Sequence, residues 1–411
     1  MSNMKKIVIT GMGAVTPVGI GIDEYWKNIT EGKSGIDTIK TFDPSELAVQ
    51  IAGEVKNFNP SDYLAKDLIR KTDPFMQYAY VAAEEAIKQS GIEIEPERTG
   101  IIMGTAMSDV ATTAFTQDAL SGASHKKVGP RFIPKILGNI AAANIAIDYN
   151  IQGPSFTVST ACSSGGDAIN TACMCMQAGK ADVMLAVGAE SVLCPLVIYS
   201  LANAKALSRR NDDPKTASRP FDVTRDGFVI GEGGGALVLE TEEHALARGA
   251  KIYGEVKGCG NTCDAHHVTA PHPEGRGAIA CMKQALADAG IDASEIGYVN
   301  AHGTATNKGD TVETGAIKSV FGDKLPYVSS TKGATGHMMG AGGITETIAC
   351  VKAIETGIIP PTINLNEIDP ECEGIDFVPN TAKKADIRYA MSNAFGFGGQ
   401  NSSIIVGKYE G

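Results

Sequence analysis

The sequence lacks any hydrophobic run long enough to cross a membrane, because no segment approaches the roughly 20 apolar residues of a spanning helix. The N-terminal apolar run at residues 7–10 is short and ends in glycine. It predicts a first strand, since a signal peptide needs a longer apolar core and a small-residue cleavage site. Basic residues are not in excess either, and the net charge is −11. These absences predict a cytoplasmic protein that is neither embedded in a membrane nor a general nucleic-acid binder.

Aromatic residues are few, at 6% of the chain with one tryptophan, and the nine cysteines are an odd number spread over 411 residues. Such cysteines are typical of free thiols and not of a disulfide framework. Hydrophobic residues make up 43% and charged residues 20%, which excludes disordered, collagen-like and coiled-coil chains. What remains is a globular chain long enough for two to three domains.

Strand-like and helical patterns alternate along the chain, which predicts an α/β fold. The predicted strands cover residues 5–10, 100–104, 155–160, 182–188, 236–240, 297–301, 327–331 and 403–407. The predicted helices cover residues 77–90, 163–179, 276–289 and 343–356. Residues 208–235 are rich in Arg, Asp, Pro and Gly and are expected to form a long loop.

The sequence repeats itself in a fixed order. Gly91 follows an alanine-rich helix and a Gly-Thr-Ala triplet begins 13 residues later at Gly104, and the same spacing separates Gly290 from a Gly-Thr-Ala at Gly303. A second match joins a Gly-Gly pair to an Ala-Cys pair at residues 165–173 and 342–350. Two ordered matches indicate duplication of one α/β unit. We expect halves at residues 1–250 and 251–411, with a new strand starting at 250–253, and buried strands in both.

Cys162 is the first candidate for chemistry. It follows the strand ending at Thr160, within the small-residue turn Thr160-Ala161-Cys162-Ser163-Ser164 that leads into a helix. A thiol at a helix N-terminus is expected to have a lowered pKa, and the free backbone N–H groups there can hold an oxyanion. The other eight cysteines are expected in the core or on the surface.

Two histidines lie in comparable places. His302 follows the strand ending near residue 301, and His337 lies in a glycine-rich segment after the strand near 327–331. Ligands gather at the carboxyl ends of strands in open α/β sheets. Each histidine alone is more often structural, but together with Cys162 they predict a shared site between two facing repeats.

Two other motifs lead nowhere. Gly11-Met12-Gly13 lacks the third glycine and the acidic residue of a dinucleotide-binding loop. Cys259, Cys263, His266 and His267 resemble a metal cluster, but no second ligand pair follows at zinc spacing. The residues therefore predict neither a metal nor a dinucleotide cofactor.

Four dispersed motifs together resemble the β-ketoacyl-acyl-carrier-protein synthases, in particular their elongating branch. They are the Thr-Ala-Cys162 elbow, His302-Gly-Thr-x-Thr, Ser-Thr-Lys332-x4-His337 and the glycine-rich stretch at residues 393–401, and the resemblance runs nearly end to end. It implies the thiolase-like five-layer αβαβα fold of two similar halves, a homodimer, and acyl- and malonyl-loaded carrier protein as partners.

The resemblance also implies roles. Cys162 would take the acyl chain, with its own amide and that of Phe397 as oxyanion hole, while His302 and His337 stabilise the enolate left when malonyl loses carbon dioxide. Lys332 would act electrostatically with Glu346 as its partner, and Phe397 would gate the site. No metal or redox cofactor is implied. The positions that match pantetheine-binding residues are Thr304, Thr306 and Thr269.

An acidic carrier protein requires basic residues for docking. The candidates are Arg70, Lys71, His125-Lys126-Lys127, Lys205, Arg209 and Arg210, although each cluster is equally well explained as solvated surface lysine and arginine.

Departures from the family pattern keep other functions open. The elbow reads Cys-Ser-Ser, which is common in polyketide synthases, and His266 and Gln400 stand where other residues are usual. The alternatives are a discrete polyketide ketosynthase with the same chemistry and a non-catalytic chain-length-factor-like partner, which usually lacks the cysteine. A degradative thiolase would need a second cysteine near Asn393, and a starter synthase would have asparagine in place of His337.

Overall fold

A computed structural model describes residues 5–121 and 128–411. Ten strands form its centre, five from each half of the chain. The first five are β1 (Ile7–Thr16), β2 (Thr99–Gly104), β3 (Ser155–Val158), β4 (Val183–Glu190) and β5 (Gly233–Thr241). The second five are β6 (Gly254–Cys263), β7 (Ile296–Asn300), β8 (Tyr327–Ser329), β9 (Tyr389–Phe395) and β10 (Gln400–Gly407).

The two sets have the same topology. The first set has the order β1-β5-β4-β2-β3 and the second has the order β6-β10-β9-β7-β8. In each set the last two pairings are parallel and the first two antiparallel. A short antiparallel pairing of β1 with β6 joins them. This identity of order confirms that one α/β unit occurs twice.

Five helices complete the layers: α1 (Pro74–Ser90), α2 (Ser164–Gln177), α3 (Arg276–Ala289), α4 (Asn307–Phe321) and α5 (Gly342–Thr356). Helix α1 packs on β1, β5 and β4, and α3 packs on β6 and β10, so these helices cover the outer faces. Helices α2 and α5 contact each other and the inner faces of both sheets. The result is five layers in the order helix, sheet, helix, sheet, helix.

Shorter elements complete the part of the chain that the structure describes. The helices are Ile22–Thr30, Pro60–Tyr63, Lys66–Lys71, Val110–Ser121, Phe132–Ile136, Ile140–Tyr149, Pro195–Asn203, Glu242–Ala247 and Lys332–Thr335. The short strands are Gly19–Ile20, Asp37–Thr38, Ile51–Ala52, Ile358–Ile359, Asp376–Phe377 and Lys383–Lys384. None of the described helices is both long and apolar enough to cross a membrane.

Glycine pairs explain how closely the layers approach. In the middle layer, a Cβ on Gly343 would lie 2.4 Å from the backbone nitrogen of Gly166, so α2 and α5 meet backbone to backbone. On the outer faces, a Cβ on Gly13 would lie 1.9 Å from the Ala82 carbonyl of α1, and one on Gly260 would lie 2.1 Å from the Cys281 carbonyl of α3. The repeated glycines of the sequence are therefore the contact points of equivalent layers.

Three sequence expectations need correction. The strand near residue 155 was expected to be buried, but β3 is the edge of its sheet and Phe156 is 43% exposed. The loop expected over 208–235 ends earlier, because the glycines from Gly233 onward pair with β4 and β1 and belong to β5. The strand expected at 250–253 begins at Gly254, where pairing with β10 and β1 can start. Apolar content identified these strands, but pairing partners set their ends.

We propose on this topology that the chain divides near residue 250, in the connection between β5 and β6, so that each half contributes one sheet and its helices.

The close approach of β1 to α1 generates a stability prediction. Replacing Gly13 by alanine forces a methyl group against the Ala82 carbonyl and should lower the free energy of unfolding by about 1–3 kcal/mol. Gly315 is the matched control, because it lies exposed in α4 with open space around it. Gly315→Ala should be neutral or stabilise by up to about 1 kcal/mol. Urea unfolding of both variants measures the difference, and equal midpoints would contradict the packing argument.

Candidate active site

Cys162 lies on a tight elbow between β3 and α2. The preceding Ala161 has a φ of 51°, in the left-handed region that is unusual for a residue with a side chain, and residues Ala161–Ser163 form a single helical turn. Gly396 packs against the same turn, since a Cβ there would lie 2.8 Å from the Thr160 carbonyl and 3.1 Å from the Cys162 nitrogen. The elbow thus carries the sulfur at the N-terminus of α2, in the buried interior.

The structure brings the three predicted residues together. His337 Nε2 lies 3.0 Å from Cys162 Sγ. One ring nitrogen of His302 completes the group, and the three potential ligand atoms all lie within 4.8 Å of one another. The two imidazole rings are nearly perpendicular, with centroids 5.3 Å apart. Cys162 comes from the first half of the chain, whereas both histidines follow strands of the second half, β7 and β8.

The expectation of a lowered thiol pKa is wrong. Burial raises the pKa of Cys162 to about 11, because a thiolate loses its hydration there. The backbone N–H groups of Phe397 and Cys162 and the charge of Lys332 act in the opposite direction, and the charge of Glu190 reinforces burial. The helix-terminus donors are present as the sequence predicted, but desolvation outweighs them.

Both histidines are held in the neutral form. Burial lowers the pKa of His302 and of His337 well below the usual value, and the charge of Lys332 adds to the effect. Phe228 meets His337 edge to face with ring centroids 5.4 Å apart, and Phe395 lies 6.0 Å from His302. The aromatic rings therefore confine two imidazoles that can each donate one hydrogen bond.

Lys332 and Glu346 form a buried ion pair. The lysine ammonium donates to a carboxylate oxygen of Glu346, and both residues are almost inaccessible to solvent. Burial raises the pKa of Glu346 and Lys332 opposes that rise. The pair matches the expected partnership and leaves a nearly neutral unit beside the histidines.

A cavity of about 870 Å³ opens onto Cys162, His302 and His337. The three threonines expected to bind pantetheine all line it, namely Thr269, Thr304 and Thr306. The hydroxyls of Thr304 and Thr306 lie 3.1 Å apart. Phe397 also lines the cavity and is 40% exposed on the turn between β9 and β10, which the Gly396 N–H closes by donating to the Gln400 carbonyl over 2.7 Å. His266 lies exposed, with its ring 4.9 Å from that of His272.

The expected docking residues are spread over different places. Lys205 is exposed and lines the catalytic cavity. Arg70 and Lys71 lie on the helix Lys66–Lys71 and pair with Asp67, and Arg70 lines a separate pocket of about 660 Å³. Arg209 is exposed and its amide donates to Asp226, whose carboxylate also pairs with Arg210. The cluster His125-Lys126-Lys127 lies outside the described residues.

Three buried carboxylates near the site were missed by sequence reasoning. Asp167 accepts from the Thr160 hydroxyl (2.5 Å), the Ser163 hydroxyl (3.0 Å) and the Asn261 amide of β6 (2.6 Å). Glu313 accepts the backbone N–H groups of the residue pair 302–303, each over 2.8 Å. Asp167 comes five residues after Cys162 and Glu313 eleven after His302, so proximity in sequence was the only available signal.

Glu190, at the end of β4, is the third. It accepts from the N–H groups of Ala106 (2.6 Å), Met107 (3.0 Å) and Gly340 (3.1 Å) and from the Thr105 hydroxyl (3.1 Å). Burial raises its pKa to about 7, and these donors oppose the rise. No distance in the sequence links it to Cys162, so only the fold reveals the contact.

Comparison with known proteins follows from this geometry. Residues 4–245 match the N-terminal domain of β-ketoacyl synthase and residues 253–366 match its C-terminal domain. The chain belongs to the β-ketoacyl synthase family. A curated relative, 3-oxoacyl-[acyl-carrier-protein] synthase 2 of Vibrio harveyi, is 44% identical over 98% of this chain and 99% of its own.

Solved structures agree with that assignment. An ishigamide ketosynthase/chain length factor superposes with a TM-score of 0.92 at 34% identity, covering 99% of this chain and 100% of the other. A ketosynthase solved with its type II polyketide synthase acyl-carrier protein gives 0.91 at 32% identity, with the same coverage. The thiolase-like fold of this β-ketoacyl synthase is confirmed, and the protein is an acyltransferase.

The electrostatics of this β-ketoacyl synthase can be tested by alkylation of Cys162. With the thiol pKa near 11, the rate of reaction with iodoacetamide should rise about tenfold per pH unit between pH 7 and 9. Glu190→Gln removes a charge that raises this pKa, so the reaction at pH 8 should become faster. Glu232→Gln, at a buried carboxylate that accepts from Ser191 and Tyr78, is the control and should leave the rate unchanged. Mass spectrometry of the modified peptide measures it, and a slower E190Q reaction would contradict the assignment.

Proposed function

We propose that this protein elongates fatty acyl chains on acyl carrier protein by two carbons, through decarboxylative condensation with malonyl-carrier protein on Cys162, His302 and His337. The contact of 3.0 Å between His337 Nε2 and Cys162 Sγ, with a second imidazole in the same group, carries the proposal. It gives one nucleophile and two hydrogen-bond donors facing one cavity.

The first half-reaction transfers the acyl chain. His337 takes the thiol proton as the Cys162 sulfur attacks the thioester carbonyl, so the raised thiol pKa is no obstacle. The developing oxyanion lies where the N–H groups of Cys162 and Phe397 already point at the sulfur. The bond from the carbonyl carbon to the carrier thiol breaks, that thiol receives the proton, and the acyl chain remains on Cys162.

The second half-reaction forms the carbon–carbon bond. Malonyl-carrier protein binds with its thioester carbonyl toward His302 and His337, and loss of carbon dioxide leaves an enolate whose oxygen both imidazoles stabilise. Removing one donor of this kind typically costs ~10²–10³ in rate. The enolate carbon attacks the acyl carbonyl, the bond to the Cys162 sulfur breaks, and protonation restores the thiol.

A neutral imidazole suits this role better than an imidazolium. Burial and Lys332 keep both rings uncharged, so each can donate a hydrogen bond without surrendering a proton to the enolate. Lys332 is itself held by Glu346 and acts through its charge. Thr304 and Thr306 present hydroxyls along the cavity wall, where the amides of a pantetheine arm would pass.

A discrete polyketide ketosynthase is the second candidate. The Cys-Ser-Ser elbow and the polyketide-type structural neighbours favour it. Identity is 44% to the Vibrio harveyi synthase 2 against 32–34% to those neighbours, which favours fatty acid elongation. Cys162 and both imidazoles are in place, which argues against a non-catalytic partner subunit.

We also propose a homodimer in the cytoplasm. Strand β3 is a sheet edge that presents backbone groups and the 43% exposed Phe156. An exposed apolar edge of this kind favours pairing with a second copy. All nine cysteines are free thiols, as expected in a reducing compartment.

Replacing Cys162 by alanine separates the two half-reactions. The variant should still decarboxylate malonyl-carrier protein, because both imidazoles remain, but should form no elongated product. Cys173→Ala, at a buried cysteine of α2, is the control and should retain elongation. Carbon dioxide release and product length by mass spectrometry measure both steps, and continued elongation by Cys162→Ala would reject the nucleophile.

Charge reversal tests the docking residues. Lys205→Glu should raise the KM for carrier protein several-fold with kcat nearly unchanged, because rim charges act mainly on association. Arg70→Glu and Lys71→Glu should act in the same direction but more weakly, since both already pair with Asp67. Lys27→Glu, on the helix Ile22–Thr30, is the control. Steady-state kinetics with varied carrier protein decides, and an unchanged KM in all three variants would reject the surface.

A further inference from the structure

The catalytic group has a second chemical property, which follows from its ligand atoms alone. A thiol and two imidazoles, all within 4.8 Å of one another, are the only such group of three His, Cys, Asp or Glu ligands in residues 5–121 and 128–411. Sulfur and imidazole nitrogen are the ligands that zinc and similar cations prefer, and three protein ligands with an open fourth position is a common zinc geometry.

We propose that Cys162, His302 and His337 bind one divalent zinc or cadmium ion in a three-ligand site that inhibits the enzyme. The fourth position would face the cavity of about 870 Å³ and hold water. This is an inhibitory ligand that competes with the acyl chain, and it does not depend on the condensing function proposed above.

The geometry requires only a small adjustment. Zinc bonds of about 2.3 Å to sulfur and about 2.0 Å to nitrogen place tetrahedral ligand atoms roughly 3.3–3.6 Å apart. The Cys162 Sγ to His337 Nε2 distance is 3.0 Å, and the remaining pairs lie within 4.8 Å. Movements of about an ångström, within reach of side-chain rotation, would bring the three atoms to that spacing.

Second partners of the ligands leave room for a metal. The Nδ1 atoms of both His302 and His337 are buried without a hydrogen-bond partner, so no protein contact fixes either ring against a small rotation. In the unliganded state the Cys162 sulfur is held by His337 and by two backbone N–H groups. Coordination replaces the proton of the thiol, which leaves to solvent, and the sulfur–metal bond forms in its place.

The surrounding charges balance for a cation. Lys332 would repel it, but its ammonium is bound by Glu346. Glu190 carries a charge that acts on Cys162, and within the described ranges only backbone N–H groups and a threonine hydroxyl contact its carboxylate, with no lysine or arginine. A cation at the sulfur would therefore find one nearby carboxylate whose charge is not offset.

Inhibition follows from the atoms that the metal occupies. The sulfur is the nucleophile and the imidazoles are the donors for the enolate, so a bound ion removes all three at once. An acyl group on Cys162 turns the thiolate into a thioester, which is a poor ligand, and should protect the enzyme. The site therefore predicts competition between metal and acyl substrate.

Cadmium titration of the full-length protein tests the site without any activity measurement. Ultraviolet cadmium–thiolate absorption should saturate at one equivalent that Cys162→Ser removes, and His302→Ala and His337→Ala should each weaken binding at least ~10-fold. Cys263→Ser, at the exposed cysteine, is the matched control and should retain the equivalent. Circular dichroism confirms that each variant is folded.

Zinc protection supplies an independent measurement. One equivalent of zinc should slow alkylation of Cys162 by iodoacetamide, with the same dependence on both histidines, and prior acylation should abolish cadmium uptake. An equivalent that persists in Cys162→Ser, or binding that is unaffected by either histidine substitution, would overturn the proposal. Failure of condensation with intact metal binding would instead reject only the proposed function.

Discussion

The backbone contact between α2 and α5 is the constraint on which the site depends. Gly166 and Gly343 let these helices touch without side chains between them, and each helix belongs to a different half of the chain. Because α2 begins just after the Cys162 elbow and α5 begins just after His337, their approach brings the sulfur within 3.0 Å of an imidazole. A larger residue at either glycine would separate the nucleophile from its partner.

Duplication gives this arrangement its logic. Two copies of one unit, related by the same strand order, place the carboxyl ends of β3, β7 and β8 around a common interior. The copies have then diverged: the first holds the nucleophile at the end of β3, and the second holds histidines at the ends of both equivalent parallel strands. Packed carboxylates support each part, with Asp167 under the elbow and Glu313 under His302.

The electrostatic design keeps the resting site uncharged. Burial outweighs the helix terminus at Cys162 and keeps the thiol protonated, while the same burial keeps both imidazoles neutral. The one pair of full charges beside them, Lys332 and Glu346, is mutually satisfied. Charge therefore develops only during reaction, at atoms that fixed donors already face, and the same neutral ligand set explains why a soft cation would be a competitor.

Sequence reasoning determined the fold class, the duplication, the candidate nucleophile and both histidines, because apolar periodicity, repeated glycines and strand-end motifs are local signals. It did not determine that β3 is an exposed edge, nor where β5 and β6 begin, because pairing partners set those limits. It misjudged the pKa of Cys162, since desolvation is a property of everything packed around the sulfur. Glu190, 28 positions from Cys162 in the chain, could be found only once the strands were assembled, because contacts between distant segments have no local signature.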